Sequence, residues 1–278
     1  YTFTVQAVNA AGSSVSSAAS NEVVPKSKPK GDDGSDGGNG DNGGTAPGTG
    51  STTQDSGVEV LVNGVAEKAG TATSSKRGAQ TVTTITLDYQ KLADKLSAGG
   101  QRTVVTIPVH NGSDVVAAEL NGQMVKDMES KQAVLLIETE QAAYTLPAQQ
   151  INIDAISKQI GKALTLADIK IQIEIAASTA ETAAVVNSSA EKGKFTLVAP
   201  PMNFTIKAIY GDTTIDVAKF NAYVERTIAI PTGTDPNKIT TGVVVDPDGT
   251  VRHVPTKIVV IDGKYYAQIN SLTNSAYA

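Results

Sequence analysis

The chain has 278 residues, with 23 Lys+Arg against 28 Asp+Glu and a formal net charge of −5. It has no cysteine, no tryptophan and two histidines, which excludes disulfide scaffolds and thiol enzymes and leaves too few ligands to close a His/Cys zinc site. The acidic balance argues against broad phosphate-backbone binding, and no apolar run reaches the roughly 18–20 residues of a membrane-spanning helix.

At the start, Tyr1, Phe3, Val5 and Ala7 alternate with Thr2, Thr4 and Gln6, the period of a half-buried strand. A turn at Asn9-Ala10-Ala11-Gly12 leads to a second strand over Ser20 to Val24, closed by Pro25. Opening inside a strand pattern suggests a chain cut from something longer. The run from Tyr1 to Gly12, with Ala19-Ser20-Asn21-Glu22-Val23 after it, resembles the last two strands of a fibronectin type III domain. That resemblance covers about a quarter of such a domain and implies that Tyr1 is its tyrosine-corner residue. Residues 1–25 are therefore expected to be a C-terminal remnant, too small to bury a core alone.

Residues 26–57 follow as a linker. Lys26-Ser27-Lys28-Pro29-Lys30 is basic, and Gly31 to Gly50 is dominated by Gly, Asp, Asn and Thr. Nothing there offsets the entropy of ordering, so a disordered spacer is expected. Asp32, Asp33, Asp36, Asn39 and Asp41 offer calcium-type oxygens, yet no closing glutamate fixes such a loop.

From Val58 onward the chain reads as strands. Asn63-Gly64 and Asp262-Gly263 are hairpin turns between apolar runs. Ile169, Ile171, Ile173 and Ile175 alternate with polar residues, the pattern of a strand with one buried face. Strands are expected at 81–87, 104–109, 115–120, 133–139, 143–147, 195–198, 204–210, 214–217, 224–230, 240–245, 251–254, 257–261 and 265–269. Short helices are expected at Tyr89–Ala98 behind an Asp88 cap, at Gln123–Ser130 and at Asp154–Gly161. Turn signals at roughly 8–12-residue spacing argue for an all-β, antiparallel β-sandwich. It would be one module over 58–278, or two lobes at 58–163 and 164–278.

Several segments of this module resemble the β-rich module that precedes S-layer homology (SLH) repeats in Paenibacillus-like cell-surface proteins. They are Leu120 to Val125 with Gln132 to Ile137, Tyr144 to Asp154, Phe220 to Pro231 and Thr241 to Pro255. The resemblance implies a non-catalytic, extracellular module beside a cell-wall anchor. The wall polymer would be bound by flanking repeats, and no site residue or cofactor is carried over.

The chemistry-bearing residues read modestly. His110 and His253 are the only imidazoles, and no Gly-x-Ser-x-Gly elbow accompanies them. Glu119, Glu138, Glu174 and Glu225 fall on strand positions that face solvent, where glycosidase-type pairing is the alternative. Glu225-Arg226 beside Tyr223 suggests an ordered ion pair. Asp246-Pro247-Asp248-Gly249 is turn chemistry before it is a calcium loop. A Lys–Asn isopeptide staple is conceivable, but no spacing identifies it. Adjacent Tyr265 and Tyr266 must point to opposite faces of a regular strand, so one is a candidate glycan contact, with Tyr210 and Tyr223 as further rings. The expected function is a structural spacer that positions upstream domains at the cell wall. It has no enzyme activity, cofactor, metal, nucleic-acid partner or membrane span. The alternative is a glycan- or protein-binding module of a cell-surface protein or extracellular glycoside hydrolase.

Overall fold

The computed structural model describes residues 8–9, 12–13, 52–161 and 164–278, in two units divided between Pro47 and Gly48. In the first unit, β1 (Val8–Asn9) and β2 (Gly12–Ser13) pair antiparallel, with Val8 opposite Ser13. Tyr1, the second expected strand at 20–24 and the acidic run at 32–41 lie outside the described residues.

The second unit is mostly strand with four short helices. β3 (Thr52–Val62) begins inside what the composition marks as linker. It turns at Asn63-Gly64, both at positive φ (49° and 81°), into β4 (Val65–Arg77). Asn and Gly are the residues that tolerate this left-handed pair, as a two-residue hairpin requires. β5 (Gln80–Leu87) pairs antiparallel with β4. Helix α1 (Tyr89–Ala98) starts where the Asp88 carboxylate accepts from the Gln90 and Lys91 amides, and it buries Leu92 and Leu96. β6 (Val104–Val109) and β7 (Val115–Asn121) lead to α2 (Gly122–Ser130), whose cap is Asn121. β8 (Val134–Thr139) and β9 (Ala142–Pro147) precede α3 (Ile153–Ile160). The first amide of α3 is received by Glu129 at the end of α2, at 2.8 Å.

The second half supplies β10 (Lys170–Ala177), α4 (Ala180–Gly193), β11 (Met202–Tyr210), β12 (Thr213–Asp216) and β13 (Lys219–Ala229). It ends with β14 (Gly242–Val245), β15 (Val251–Val254), β16 (Thr256–Ile261), β17 (Lys264–Thr273) and β18 (Ala276–Tyr277). Helix α4 was not expected. Thr179 caps it by accepting from the Thr182 amide, and Lys194 leaves it at φ 55°. The strand expected at 195–198 is absent, because Phe195 is still tied to the helix exit through the Ala190 carbonyl. Pro200-Pro201 then supplies no amide donors for a ladder.

The expected two-sheet sandwich is replaced by one sheet, nearly closed in the manner of a barrel. Its order is β15-β14-β18-β11-β10-β7-β5-β4-β3-β6-β8-β9-β13-β17-β16, with β12 on the side of β11. The two ends of this path are consecutive in sequence, joined through Pro255 alone. One bent strand therefore belongs to both ends, and the Asn270 amide donates to the Pro255 carbonyl at 2.9 Å across the corner. Nor is the sheet wholly antiparallel. β5 runs parallel to β7 and β6 parallel to β8, each pair needing a crossover that carries α1 or α2. Strands from 58–163 form one contiguous block in this sheet, flanked on both sides by strands from 164–278, and the two halves share the main core. That core holds Ile171, Ile173 and Ile175 of β10, Phe204 of β11 and Tyr144 of β9.

Gly122 shows how closely α2 is seated. A Cβ there would stand 2.5 Å from the Leu166 carbonyl oxygen, which is backbone and cannot swing away. Gly122→Ala is therefore expected to lower stability by about 1–3 kcal/mol through overpacking, read as a shifted urea midpoint at unchanged m.

Candidate functional site

The largest fully buried side chain among the described residues is Arg226, at 0% exposure. It does not pair with Glu225, which lies on the opposite face of β13 by strand alternation. Val224, Arg226 and Ile228 face the interior, and a register irregularity between Lys219 and Val224 precedes them. Nη1 donates to the Val224 carbonyl at 2.9 Å. Nη2 donates to the Thr273 carbonyl at 2.9 Å, to Asn274 Oδ1 at 2.8 Å and to the Tyr144 hydroxyl at 3.3 Å. Nε has no partner.

Four aromatic rings surround the guanidinium. Its central carbon lies 4.7 Å from the Tyr277 centroid, 4.9 Å from Tyr144, 5.4 Å from Phe204 and 5.8 Å from Phe220. Tyr144 and Tyr277 each meet Phe204 edge-on, at 5.2 and 5.7 Å. The Tyr144 hydroxyl donates to Asn274 Oδ1 at 2.6 Å, and the Asn274 amide donates to the Val217 carbonyl. The Tyr277 hydroxyl donates to the Thr273 carbonyl. The cation is thus met by carbonyl dipoles and ring faces, with no carboxylate in contact among the described residues. The cluster joins β9, β11, β13 and the β17–β18 corner, with the guanidinium and the Tyr144, Phe204 and Tyr277 rings fully buried. Its chemistry is cohesive.

The residues singled out from the sequence do not converge. His110 is exposed at the end of β6, and His253 is exposed on β15. Glu174 is engaged by Arg77 through two bonds of 2.8 and 3.2 Å, and Glu119 receives Lys170 and Gln172. Neither is a free acid poised across a cleft. Asp246 holds Arg252 bidentately, and Asp248 accepts from the Thr250 amide, which lowers its pKa. This is turn chemistry. No group of three or more potential metal-binding side chains occurs among the described residues. No lysine is buried among them either, so an isopeptide staple has no buried amine to start from. Tyr265 and Tyr266 sit on opposite faces of β17. Tyr265 is 44% exposed and faces Val260, while the half-buried Tyr266 is flanked by Val259 and Ala229.

Two concavities were not foreseen. One, of about 580 Å³, lies between α4 and the β11, β14 and β18 strands, with Glu181, Asn203, Thr205 and Asp246 on its walls. It depends on α4, which has no strong apolar stripe to announce it. The other, of about 100 Å³, is apolar and sits where the two sheet ends diverge, lined by Leu197, Ile230, Ile239, Val243 and His253.

No family model, curated protein or solved structure matches this chain.

Arg226→Met removes the cation and leaves the Val224 and Thr273 carbonyls short of donors. A loss of about 2–4 kcal/mol is expected, from about 1–3 kcal/mol per buried group left unpaired, measured by chemical denaturation. Burial also holds the Tyr144 phenol well above its ordinary value of 10.0. Its folded pKa is raised, so its contribution is complete below pH 10 and is lost as the pH climbs from there. Stability should fall by about 1.4 kcal/mol per pH unit above 10, and Tyr144→Phe should flatten that slope. Tyr89, raised by its hydrogen bond to Asp127, adds a loss of the same sign that the variant leaves in place.

Proposed function

We propose that the chain is a non-catalytic structural spacer of an exported, cell-wall-associated protein, positioning neighbouring domains beside a wall anchor. The observation that carries this reading is where the second unit receives and delivers the chain. Its first strand, β3, lies between β4 and β6, and its last, β18, lies between β11 and β14. Tension along the polypeptide then acts on strands flanked on both sides, not on a peeling edge. The Arg226 cluster supports the same reading, since it ties β18 and β13 together at the centre of the core. The likeness of residues 58–278 to modules preceding SLH repeats supplies the extracellular, S-layer-associated setting. The wall polymer would be held by flanking domains.

A glycan-binding module is the second reading, favoured by the α4 cleft. Its volume suits a small ligand, and the side chains of Asn203 and Thr205 have no hydrogen-bond partner among the described residues, which suits a polyol.

The test is a pull-down of the full chain on purified cell wall and on a glycan panel, with and without calcium. No retention is expected in either condition. Saturable retention would sink the spacer reading. Its loss in Asn203→Ala would then place the ligand in the α4 cleft, and its loss in the Tyr265→Ala/Tyr266→Ala double variant would place it on β17. In a force-extension experiment with handles at both chain ends, the second unit is expected to open in a single cooperative step, because one large core draws on strands of both its halves. Arg226→Met should lower the opening force.

A further inference from the structure

We propose that the β16 edge is a self-association surface, on which a second copy of this chain adds its own β16 antiparallel across a two-fold axis. β16 pairs with β17 on one side and with no strand on the other among the described residues. The ladder shows which of its backbone groups are free. Asn270 donates to Pro255, and Ile261 faces Lys264 across the two-residue turn at Asp262-Gly263. In an antiparallel ladder the bonded pairs alternate, so Lys257, Val259 and Ile261 bond to β17. Thr256, Ile258 and Val260 then direct their amides and carbonyls outward. The donation from the Ile230 amide to the Tyr265 carbonyl, on the far side of β17, obeys the same alternation.

Lys257 is the one charged residue on this edge. Within β16 there is no proline or bulge, and no helix pairs with it among the described residues. Instead it is apolar: Val260 is 60% exposed, Ile261 47% and the neighbouring Tyr265 44%. Few other large apolar side chains are as exposed.

Self-complementarity selects the occupant. With the axis at Val259, Ile258 of one copy lies opposite Val260 of the other, so outward groups meet outward groups and four backbone bonds form. In that register Lys257 stands beside Ile261 of the second copy and one residue from its Asp262. The Cα separation is roughly 6 Å, from a strand spacing of about 4.8 Å and a rise of about 3.3 Å. Lys257 and Asp262 are both exposed and form no ion pair among the described residues. Two symmetric ion pairs would bracket an apolar centre. Such an interface is isologous and closes at two copies. A single six-residue ladder falls below the ~1,200 Å² of standard interfaces, so association is weak and depends on concentration.

Sedimentation of the full chain over a wide concentration range tests this. A monomer–dimer equilibrium is expected. Val260→Pro deletes an outward amide that the intramolecular ladder does not use, and should abolish the dimer. Lys257→Glu places like charges together and should weaken it by about tenfold or more. Adding Asp262→Asn to Lys257→Glu should recover part of that loss, which a general effect on folding would not do. Circular dichroism melts check that each variant is folded. If Val260→Pro unfolds the chain, the exposed Lys257 and Asp262 variants decide. A monomer at every concentration, or association that these variants leave unchanged, overturns the proposal. The wall pull-down does not bear on this outcome, so either proposal can fail alone.

Discussion

An arginine without a carboxylate at the centre of a core places demands on everything around it. Moving a cation out of water is costly unless fixed dipoles replace the lost hydration. Around Arg226 they come from the Val224 and Thr273 carbonyls, the Asn274 amide oxygen, the Tyr144 hydroxyl and four ring faces. These groups reside on five different segments, and the Tyr144 hydroxyl and the Asn274 amide oxygen alone stand 130 residues apart in the chain. None of them satisfies the guanidinium alone. The sheet must bring β9, β11, β13 and the β17–β18 corner to one point before the charge is accommodated. The charge therefore selects a closed arrangement over an open one.

Closure is achieved economically. A sheet of this size has two edges to hide, and here Pro255 bends a single strand so that β15 caps one end of the path and β16 the other. Proline suits the corner because the bend needs a carbonyl, which Asn270 uses, and no amide. The seam is imperfect. An apolar cavity remains beside it, and the outer side of β16 is left without a neighbour strand.

Much of the local structure was legible in the sequence. The β10 isoleucines, the Asn63-Gly64 and Asp262-Gly263 turns and the capped α1 all appear where periodicity and turn chemistry put them. These are short-range signals, set by alternation, by φ > 0 tolerance and by side-chain oxygens near free amides. What was hidden is long-range. Nothing in β5 through β8 announces parallel pairing, because a strand's partner is chosen by the crossover and not by its own pattern. The alternating pattern of Val224 to Ile230 suggested a solvent-facing acid next to an arginine. Strand parity in fact sends Glu225 out and Arg226 in, and the inward charge became plausible only once its rings were assembled. Helix α4 escaped because its Ala- and Ser-rich face makes a weak apolar stripe. The α4 cleft was invisible for the same reason.

The position of β18 bears on how the protein is made. Its residues Ala276–Tyr277 are the last of the sixteen strands to emerge from the ribosome, yet they insert between β11 and β14 and bring the ring nearest to Arg226. While Tyr277 is still inside the exit tunnel, the arginine lacks one wall of its box, and the facing edges of β11 and β14 lack their shared partner. The second unit thus cannot complete its fold until Tyr277 has emerged, and until then the nascent chain carries an incompletely shielded cation and two open strand edges.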